Sequence, residues 1–264
     1  MGLRRNESRR GVRFAAILIA ASAFACSAGC SRPAKFPPAD SITFNSSDGT
    51  KVYAKLVKSA QPHVSCVVLM FHQAGSSLAE YATIAPRVAA MGFDCLAVDL
   101  RSGGSMFGVS NQTAEQFSGK QSYETAYLDM QAAFRWARAE KKYKRIIVWG
   151  SSYSASLVLE LASQNPGKIA AVLSFSPGEY FSDKSIVASW AGGDNAPTLI
   201  ACTPDEAVQG RQQIFDALPK SNDNVFVHES GGVHGSSTLI PDRNPNSNGK
   251  YWLAVQTFLK PFEP

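Results

Sequence analysis

Apolar residues occur along the chain in short uninterrupted runs, separated by longer segments in which apolar positions recur every three or four residues. Short apolar runs are typical of buried strands, and the longer period is typical of helices that bury one face. Two early runs instead alternate apolar and polar residues around Ser47-Asp48-Gly49, which indicates a hairpin. We predict strands over residues 41–45, 51–57, 66–71, 94–100, 145–149, 169–175, 197–202 and 224–228, and helices over residues 78–90, 123–141, 153–163, 204–218 and 251–258. This alternation predicts one mostly parallel sheet of about eight strands with helices on both faces.

The first 29 residues differ in composition from the rest of the chain. Five arginines precede the apolar, alanine-rich run from Phe14 to Gly29, which is short for a membrane span and predicts a secretory signal. The run ends in Ser27-Ala28-Gly29-Cys30, which resembles a bacterial lipobox and makes Cys30 the candidate lipidation site. An ordinary cleaved signal with an incidental cysteine is the alternative. We therefore expect a signal at residues 1–29, a tether at residues 30–40 and one domain at residues 41–264. We expect this domain to be exported, to face the periplasm or the exterior, and to contact the membrane only through a lipid anchor.

The positive charge of the chain is concentrated in that N-terminal segment. The whole sequence has a formal net charge of +5, but the first 29 residues hold five arginines and one glutamate, so the rest carries +1. A nearly neutral domain without a basic cluster argues against a nucleic-acid partner. Cys66, Cys95 and Cys202 fall in predicted strands without the spacing of a metal site, so we expect three buried thiols. We expect neither a metal nor a cofactor.

A turn between a predicted strand and a predicted helix carries the strongest chemical signal. Its sequence is Gly150-Ser151-Ser152-Tyr153-Ser154. A serine nucleophile in such a turn needs small residues two places before and two places after it, because the backbone turns sharply there. Ser152 meets this requirement, whereas Ser151 would place two aromatic residues at those positions. The alternative is an ordinary strand-to-helix turn with no chemistry.

Two further side chains follow predicted strands and would complete a hydrolytic triad. His234 lies in the glycine-rich loop after the last strand, and Asp205 lies in the turn after the strand before it. Because functional loops gather at the carboxyl ends of parallel strands, His234 can serve as the base for Ser152, and Asp205 can orient the imidazole. Asp205 could equally cap the helix that begins there. Glu206 and Glu179 are the competing carboxylates.

The loop after the strand at residues 66–71 is a candidate oxyanion site. It reads His72-Gln73-Ala74-Gly75-Ser76-Ser77, and its small residues would let a backbone N–H approach a substrate carbonyl. We expect the N–H of Tyr153, together with the N–H of Ala74 or Gln73, to stabilise a tetrahedral oxyanion. Each such donor contributes roughly 3 kcal/mol. A plain strand-to-helix turn is the alternative.

Taken together, these segments resemble the α/β-hydrolase superfamily over residues 41–262. The resemblance rests on His72-Gln73-Ala74-Gly75, the stretch from Asp99 to Ser105, the stretch from Gly150 to Ser154, Asp205, and His234-Gly235. Among the branches of this superfamily, the chain is similar to small serine esterases and dienelactone-hydrolase-like enzymes, with serine in place of cysteine as nucleophile. Two positions depart from the pattern, because Gln73 and Ser154 stand where many relatives have glycine.

The resemblance implies a function as well as a fold. It implies an α/β-hydrolase fold without a large lid, since the connection at residues 177–196 is short. It implies a hydrolase that cleaves a carboxylic ester of a small molecule or a saccharide through an acyl-enzyme, with Ser152, His234 and Asp205 as the triad. Peptidase or thioesterase action on the same machinery is one alternative. A lipoprotein that binds a ligand or partner on this scaffold without turnover is another.

Overall fold

The computed structural model describes residues 36–140 and 142–263. Within them, eight strands form one sheet in the order β1-β2-β4-β3-β5-β6-β7-β8. The strands are β1 Asp40–Asn45, β2 Lys51–Val57, β3 Cys66–Phe71, β4 Asp94–Val98, β5 Arg145–Ser151, β6 Ala171–Phe175, β7 Thr198–Ala201 and β8 Val225–Val227. The α-helices are α1 Ile84–Ala89, α2 Tyr123–Ala139, α3 Tyr153–Ser163, α4 Ile186–Gly193, α5 Pro204–Glu206, α6 Gln212–Ala217 and α7 Asn248–Leu259. The predicted signal, Cys30 and the first part of the predicted tether lie outside the described residues.

The strand directions place the functional loops at one edge of the sheet. β1 pairs with β2 and β2 with β4 in antiparallel fashion, whereas β3 runs parallel to both β4 and β5. The strands β5 to β8 continue the parallel part in chain order. The mostly parallel sheet of eight strands predicted from the sequence is confirmed. The carboxyl ends of its parallel strands share one edge, where ligand sites of such sheets form.

Side chains of the central strands alternate between two hydrophobic cores. On β5, Val148 packs in the core under α2, α3, α4 and α6, whereas Ile147 and Trp149 pack in the core under α1 and α7. Every residue of β3 is buried, as expected for a strand covered on both faces. Full burial of each large apolar side chain contributes about 1.5–3 kcal/mol, so these cores make the sheet a firm support for the loops at its edge.

Three helical segments differ from the prediction. Residues 78–90 form a 3₁₀ helix, Leu78–Tyr81, followed by the separate helix α1. The predicted helix at 204–218 breaks into α5 and α6 because Gly210 adopts a φ of 115°, which is strained for any residue with a side chain. The connection at residues 177–196 contains α4, which was not predicted and which packs against α3 and α6. That connection therefore holds one short helix rather than a large lid.

Cys66, Cys95 and Cys202 are buried and free, as predicted. Burial raises the pKa of the Cys66 thiol to about 12, which keeps it protonated and unreactive at neutral pH. No helix in the described part of the chain is both long enough and apolar enough to cross a membrane.

Candidate active site

Ser152 occupies a strained turn between β5 and α3. Its φ of 61° and ψ of −122° lie in a region that residues with side chains rarely adopt. β5 ends at Ser151 and α3 begins at Tyr153, so one residue makes the whole change from strand to helix. Strain of this kind costs roughly 1–3 kcal/mol and persists only where the surrounding structure enforces it. The turn presents the Ser152 hydroxyl at the carboxyl end of the strand.

The residues on either side of Ser152 explain why the turn closes. A Cβ on Gly150 would lie 2.3 Å from the carbonyl oxygen of Ser154 and 2.6 Å from the Cα of Ala155, so only glycine fits there. Ser154 fits because its hydroxyl makes hydrogen bonds within the turn and to the end of β3. Its Oγ accepts the N–H of Ser151 at 2.9 Å and donates to the carbonyl of Phe71 at 2.8 Å. Serine in place of the usual glycine therefore ties the turn to the end of β3.

His234 joins the nucleophile to a carboxylate. Its Nε2 lies 2.8 Å from the Oγ of Ser152, and its Nδ1 lies 2.5 Å from Oε1 of Glu206. With Nδ1 donating to the carboxylate, Nε2 is left free to accept the hydroxyl proton. Ser152 and His234 are thus brought together as the sequence suggested, 82 positions apart in the chain.

The carboxylate at His234 is Glu206, not Asp205. Thr203 and Glu206 form a reciprocal capping box at the start of α5: the Thr203 hydroxyl accepts the N–H of Glu206, and the Glu206 side chain accepts the N–H of Thr203. This pairing turns the Glu206 side chain back towards the strand end and the histidine. Asp205, one position earlier in the helical turn, is exposed. The preference for Asp205 as the acid was therefore wrong, and the pattern Thr-x-x-Glu was the signal that favoured its neighbour.

Glu206 is held as an anion. Burial would raise the pKa of its carboxyl group, but hydrogen bonds from His234, the N–H of Thr203 and the hydroxyl of Ser176 lower it to about 2. The Ser176 contact is 2.7 Å and the Thr203 contact 3.0 Å. Such a carboxylate can fix the histidine tautomer and stabilise an imidazolium. The other competing carboxylate, Glu179, instead accepts the N–H groups of Val187 and Ala188 in the first turn of α4.

Of the two candidate oxyanion donors in the loop after β3, the N–H groups of Gln73 and Ala74, one is free. The N–H of Gln73 donates to Oε2 of the buried Glu80 at 2.7 Å, so Gln73 is not available as an oxyanion donor. Among the described residues, the N–H groups of Ala74 and Tyr153 have no hydrogen-bond acceptor. The expected pair is therefore narrowed to Ala74 and Tyr153.

The direction of the Ala74 N–H is set by the carbonyl on the same peptide. The carbonyl of Gln73 lies 2.7 Å from Nδ1 of His72 and accepts the N–H of Ser76 at 3.2 Å. Since a trans peptide is planar, the N–H of Ala74 points away from that carbonyl. His72 can donate from Nδ1 because its Nε2 accepts the N–H of Leu100 at 2.9 Å. Burial lowers the pKa of His72 to about 4, so it stays neutral and serves the loop rather than proton transfer.

Two clefts are lined by residues of the loops around the candidate site. One, of about 320 Å³, is lined by Ala74, Gly103, the segment 117–121 and Tyr123, whose ring stacks on that of Tyr153 at 4.4 Å. The other, of about 370 Å³, has His234, Gln73, Met106 and Arg243 in its wall. The long connection at residues 103–121 thus contributes to both clefts.

Arg101, at the edge of the first cleft, is not free to bind an anionic substrate. Its guanidinium pairs with Asp129 at 2.7 Å and with Asp48 at 2.5 Å. Within residues 36–140 and 142–263, no three His, Cys, Asp or Glu side chains converge as metal ligands.

Comparisons with known proteins agree with this fold. Residues 67–250 match the family described as alpha/beta hydrolase fold. A dienelactone hydrolase from Anabaena variabilis superposes with a TM-score of 0.67 at 15% identity, over 86% of this chain and 98% of that one. An esterase from Pyrococcus furiosus superposes with a TM-score of 0.64 at 18% identity, over 84% and 92%. Est1E from Butyrivibrio proteoclasticus, with bound ferulic acid, superposes with a TM-score of 0.65 at 15% identity, over 83% of this chain and 97% of that one.

No curated protein matches the sequence significantly. The family match spans well over half of the chain, and it includes the Ser152 turn, Glu206 and His234. The chain therefore belongs to the alpha/beta hydrolase fold family.

Proposed function

We propose that the protein is a serine hydrolase that cleaves a carboxylic ester through an acyl-enzyme on Ser152. The observation that carries the proposal is the chain of contacts from the Ser152 hydroxyl to His234 and on to Glu206, at 2.8 Å and 2.5 Å. This chain starts in a strained turn with two unpartnered backbone N–H groups beside it, those of Tyr153 and Ala74, among the described residues. Nucleophile, base, orienting carboxylate and oxyanion donors are the four parts that acyl transfer needs.

Acylation uses all four parts. His234 Nε2 takes the proton of the Ser152 hydroxyl as Oγ attacks the ester carbon, and the carbonyl π electrons move onto the oxygen. The N–H groups of Ala74 and Tyr153 stabilise that oxyanion, and the ionised Glu206 stabilises the imidazolium. The tetrahedral intermediate then collapses, the bond to the alkoxy group breaks, and His234 gives its proton to the departing oxygen.

Deacylation repeats the steps with water as nucleophile. His234 takes a proton from the water while the hydroxide oxygen bonds to the acyl carbon, and the same two N–H groups hold the oxyanion. Collapse breaks the bond to Ser152 Oγ, which recovers its proton from His234, and the carboxylic acid leaves. No cofactor enters these steps.

An ester is the substrate that the comparisons favour. The solved structures that superpose on the chain include a dienelactone hydrolase and an esterase, and both names denote enzymes that hydrolyse ester bonds. The same four parts also serve amides and thioesters, so peptidase and thioesterase action are the alternatives within acyl transfer. A panel of matched aryl ester, anilide and thioester substrates on the purified protein ranks the three by kcat/KM.

The test of the nucleophile is Ser152→Ala. We expect kcat for a short-chain aryl ester to fall roughly 10⁵- to 10⁶-fold and labelling by a fluorophosphonate probe to disappear, because the atom that carries the acyl group is removed. Ser163→Ala, near the other end of α3, is the matched control and should retain activity and labelling. Activity or label that survives Ser152→Ala would refute the assignment.

The same experiment separates an enzyme from a binding protein on the same scaffold. A protein that binds a ligand without turnover would show neither hydrolysis nor labelling in the unmodified chain. Ester turnover that depends on Ser152 excludes that alternative.

We also propose that the domain is exported and anchored through Cys30, on the strength of Ser27-Ala28-Gly29-Cys30 after an apolar run. Labelled palmitate supplied to a bacterial host should enter the unmodified protein and not Cys30→Ser. Equal incorporation into both would contradict lipidation at this cysteine.

A further inference from the structure

A second buried carboxylate lies directly behind the candidate site. Glu80 belongs to the 3₁₀ helix Leu78–Tyr81 and has no solvent exposure. Its Oε2 accepts the N–H of Gln73 at 2.7 Å. Its Oε1 accepts the hydroxyl of Ser151 at 2.7 Å and the side-chain amide of Gln73 at 3.1 Å. Neither the triad nor the oxyanion pair uses this side chain.

Every hydrogen-bond partner of the Glu80 carboxylate is a donor. The Oγ of Ser151 already accepts the N–H of Ser236 at 2.9 Å, so its hydrogen is directed at the carboxylate. The Gln73 contacts are an amide N–H and a side-chain NH₂. The backbone N–H of Gln73 cannot accept a proton from Oε2, and a proton on Oε1 would require the Ser151 hydroxyl to turn from donor to acceptor, so protonation would disturb these hydrogen bonds. The hydrogen bonds therefore match the ionised form.

These contacts link three separate segments of the site through one group. Gln73 precedes the oxyanion donor Ala74, and Ser151 precedes the nucleophile Ser152. Ser236, held through Ser151, follows His234 by two positions. With the peptide before Gln73 held by Glu80 and the peptide after it held by His72, both planes that direct the Ala74 N–H are fixed.

We propose that ionised Glu80 is a positioning residue, which holds the oxyanion loop and the nucleophile turn in register through Gln73 and Ser151. The proposal rests on the proposed function, since it concerns the rate of the same reaction. It assigns to Glu80 no contact with substrate.

The surroundings of Glu80 oppose its charge. It forms no salt bridge with any described residue, and burial raises the pKa of its carboxyl group to about 7, against hydrogen bonds from Ser151 and Gln73 that lower it. The other titratable groups that influence it or are influenced by it are His234, Tyr81 and Tyr153. Burial raises the pKa of both tyrosines well above the usual value, so they stay neutral. An isolated buried anion costs stability, and such a cost is typical of groups kept for function.

The test is Glu80→Gln, which keeps the size of the side chain and one acceptor oxygen but replaces the other oxygen with an NH₂ group and removes the charge. We expect kcat for an aryl ester to fall about 10- to 100-fold with KM changed less than threefold, because the oxyanion donor acts in the transition state. We expect the melting temperature at pH 8 to rise, because a buried charge is removed. A purely structural role would lower the melting temperature and leave kcat of the folded fraction unchanged.

The pH profile provides a readout that a structural role would not move. Protonation of Glu80 would disturb its hydrogen bonds to Gln73 and Ser151, so activity should fall as the pH drops through its pKa near 7. Glutamine at position 80 does not titrate. The acid limb of the kcat profile should therefore shift to lower pH in Glu80→Gln.

Asp194→Asn is the matched control. Asp194 is also fully buried, also accepts only from donors, the N–H of Ala196 and the hydroxyl of Thr198, and burial also raises its pKa, to about 6. It lies before the start of β7, at the opposite end of the strand from Glu206. Its kcat and acid limb should match those of the unmodified protein. If Glu80→Gln does not fold, Ser151→Ala removes the link to the nucleophile turn and should lower kcat about tenfold at constant KM.

Two failures are distinguishable. If Ser152→Ala remains active, the proposed function fails. If activity depends on Ser152 but Glu80→Gln keeps the kcat and the acid limb of the unmodified protein, only the role of Glu80 fails.

Discussion

Glu206 and Glu80 are both carboxylates near His234, and their surroundings drive their pKa values in opposite directions. Each has both oxygens engaged in hydrogen bonds, and for each, burial is the largest influence on the pKa. The pKa of Glu206 nevertheless falls to about 2, while that of Glu80 rises to about 7. The number of hydrogen bonds does not explain the difference.

The difference comes from the depth of burial and the kind of partner. Glu206 keeps 12% side-chain exposure, contacts an imidazole that can become a cation and has Arg211 at 3.8 Å. Glu80 is fully enclosed and its contacts are neutral amides and a hydroxyl. A partner able to carry positive charge offsets desolvation where neutral donors cannot. The first carboxylate therefore suits charge stabilisation, and the second suits geometry.

Replacing Glu206 by glutamine should have the largest effect on activity. The amide cannot stabilise an imidazolium and can present its NH₂ to Nδ1, which favours the wrong tautomer of His234. We expect kcat to fall on the order of 10³- to 10⁴-fold, measured with an aryl ester. Asp205→Asn, one position earlier and exposed, should retain full activity. The reverse result would restore Asp205 as the acid.

The pH dependence of stability should separate the two carboxylates by sign. The folded pKa of Glu206 lies below its usual value of 4.5, so its stabilisation is present above about pH 4.5 and is lost as the pH falls towards 2. The folded pKa of Glu80 lies above 4.5, so its penalty is absent below pH 4.5 and complete above about pH 7. Each contribution is on the order of 3 kcal/mol.

Thermal unfolding of Glu206→Gln and Glu80→Gln measures the contribution of each carboxylate to stability. At pH 8 we expect Glu206→Gln to melt lower and Glu80→Gln to melt higher than the unmodified protein, each by roughly 6–12 °C. At pH 4.5 the gain from Glu80→Gln should vanish, while the loss from Glu206→Gln persists. Shifts of the same sign at pH 8 would contradict the contrast between the two sites.

The sequence pattern was sufficient for the parts of the fold that depend on periodicity. β3 and α3 have the predicted bounds. An uninterrupted run of six apolar residues identifies β3, and α3 starts directly after the small-residue turn at Ser152. α4 was missed because its sequence, IVASWAGG, is short, apolar and rich in glycine, so neither period is visible. The break at Gly210 depends on a backbone conformation that the pattern cannot show.

The same distinction applies to the site. Ser152 and His234 could be found because strand ends and small residues are visible in the sequence. Asp205 and Glu206 are neighbours, so which of them faces His234 depends on where the helix begins. The capping box of Thr203 and Glu206 fixes that start and turns Glu206 towards the histidine. Glu80 could not have been found, since a lone glutamate among apolar residues suggests the exposed side of a helix. Its burial results from contacts with residues 7 and 71 positions away.

The smallest predicted effect tests how far the anionic state of Glu206 depends on neutral donors. Ser176 donates its hydroxyl to Oε2 of Glu206 at 2.7 Å and accepts the N–H of Gly235 at 2.9 Å. It therefore joins Glu206 to the residue that follows His234. In Ser176→Ala the carboxylate keeps His234 and Thr203. We expect kcat to fall about tenfold, equivalent to about 1.4 kcal/mol, with little change in KM.

Ser174→Ala is the control, because Ser174 is equally buried on β6 but donates to the carbonyl of Ala155. An equal loss in both variants would mean that β6 packing, rather than the Ser176 hydrogen bond, supports the acid. A loss confined to Ser176→Ala would show that the charged partner alone does not hold Glu206 in place.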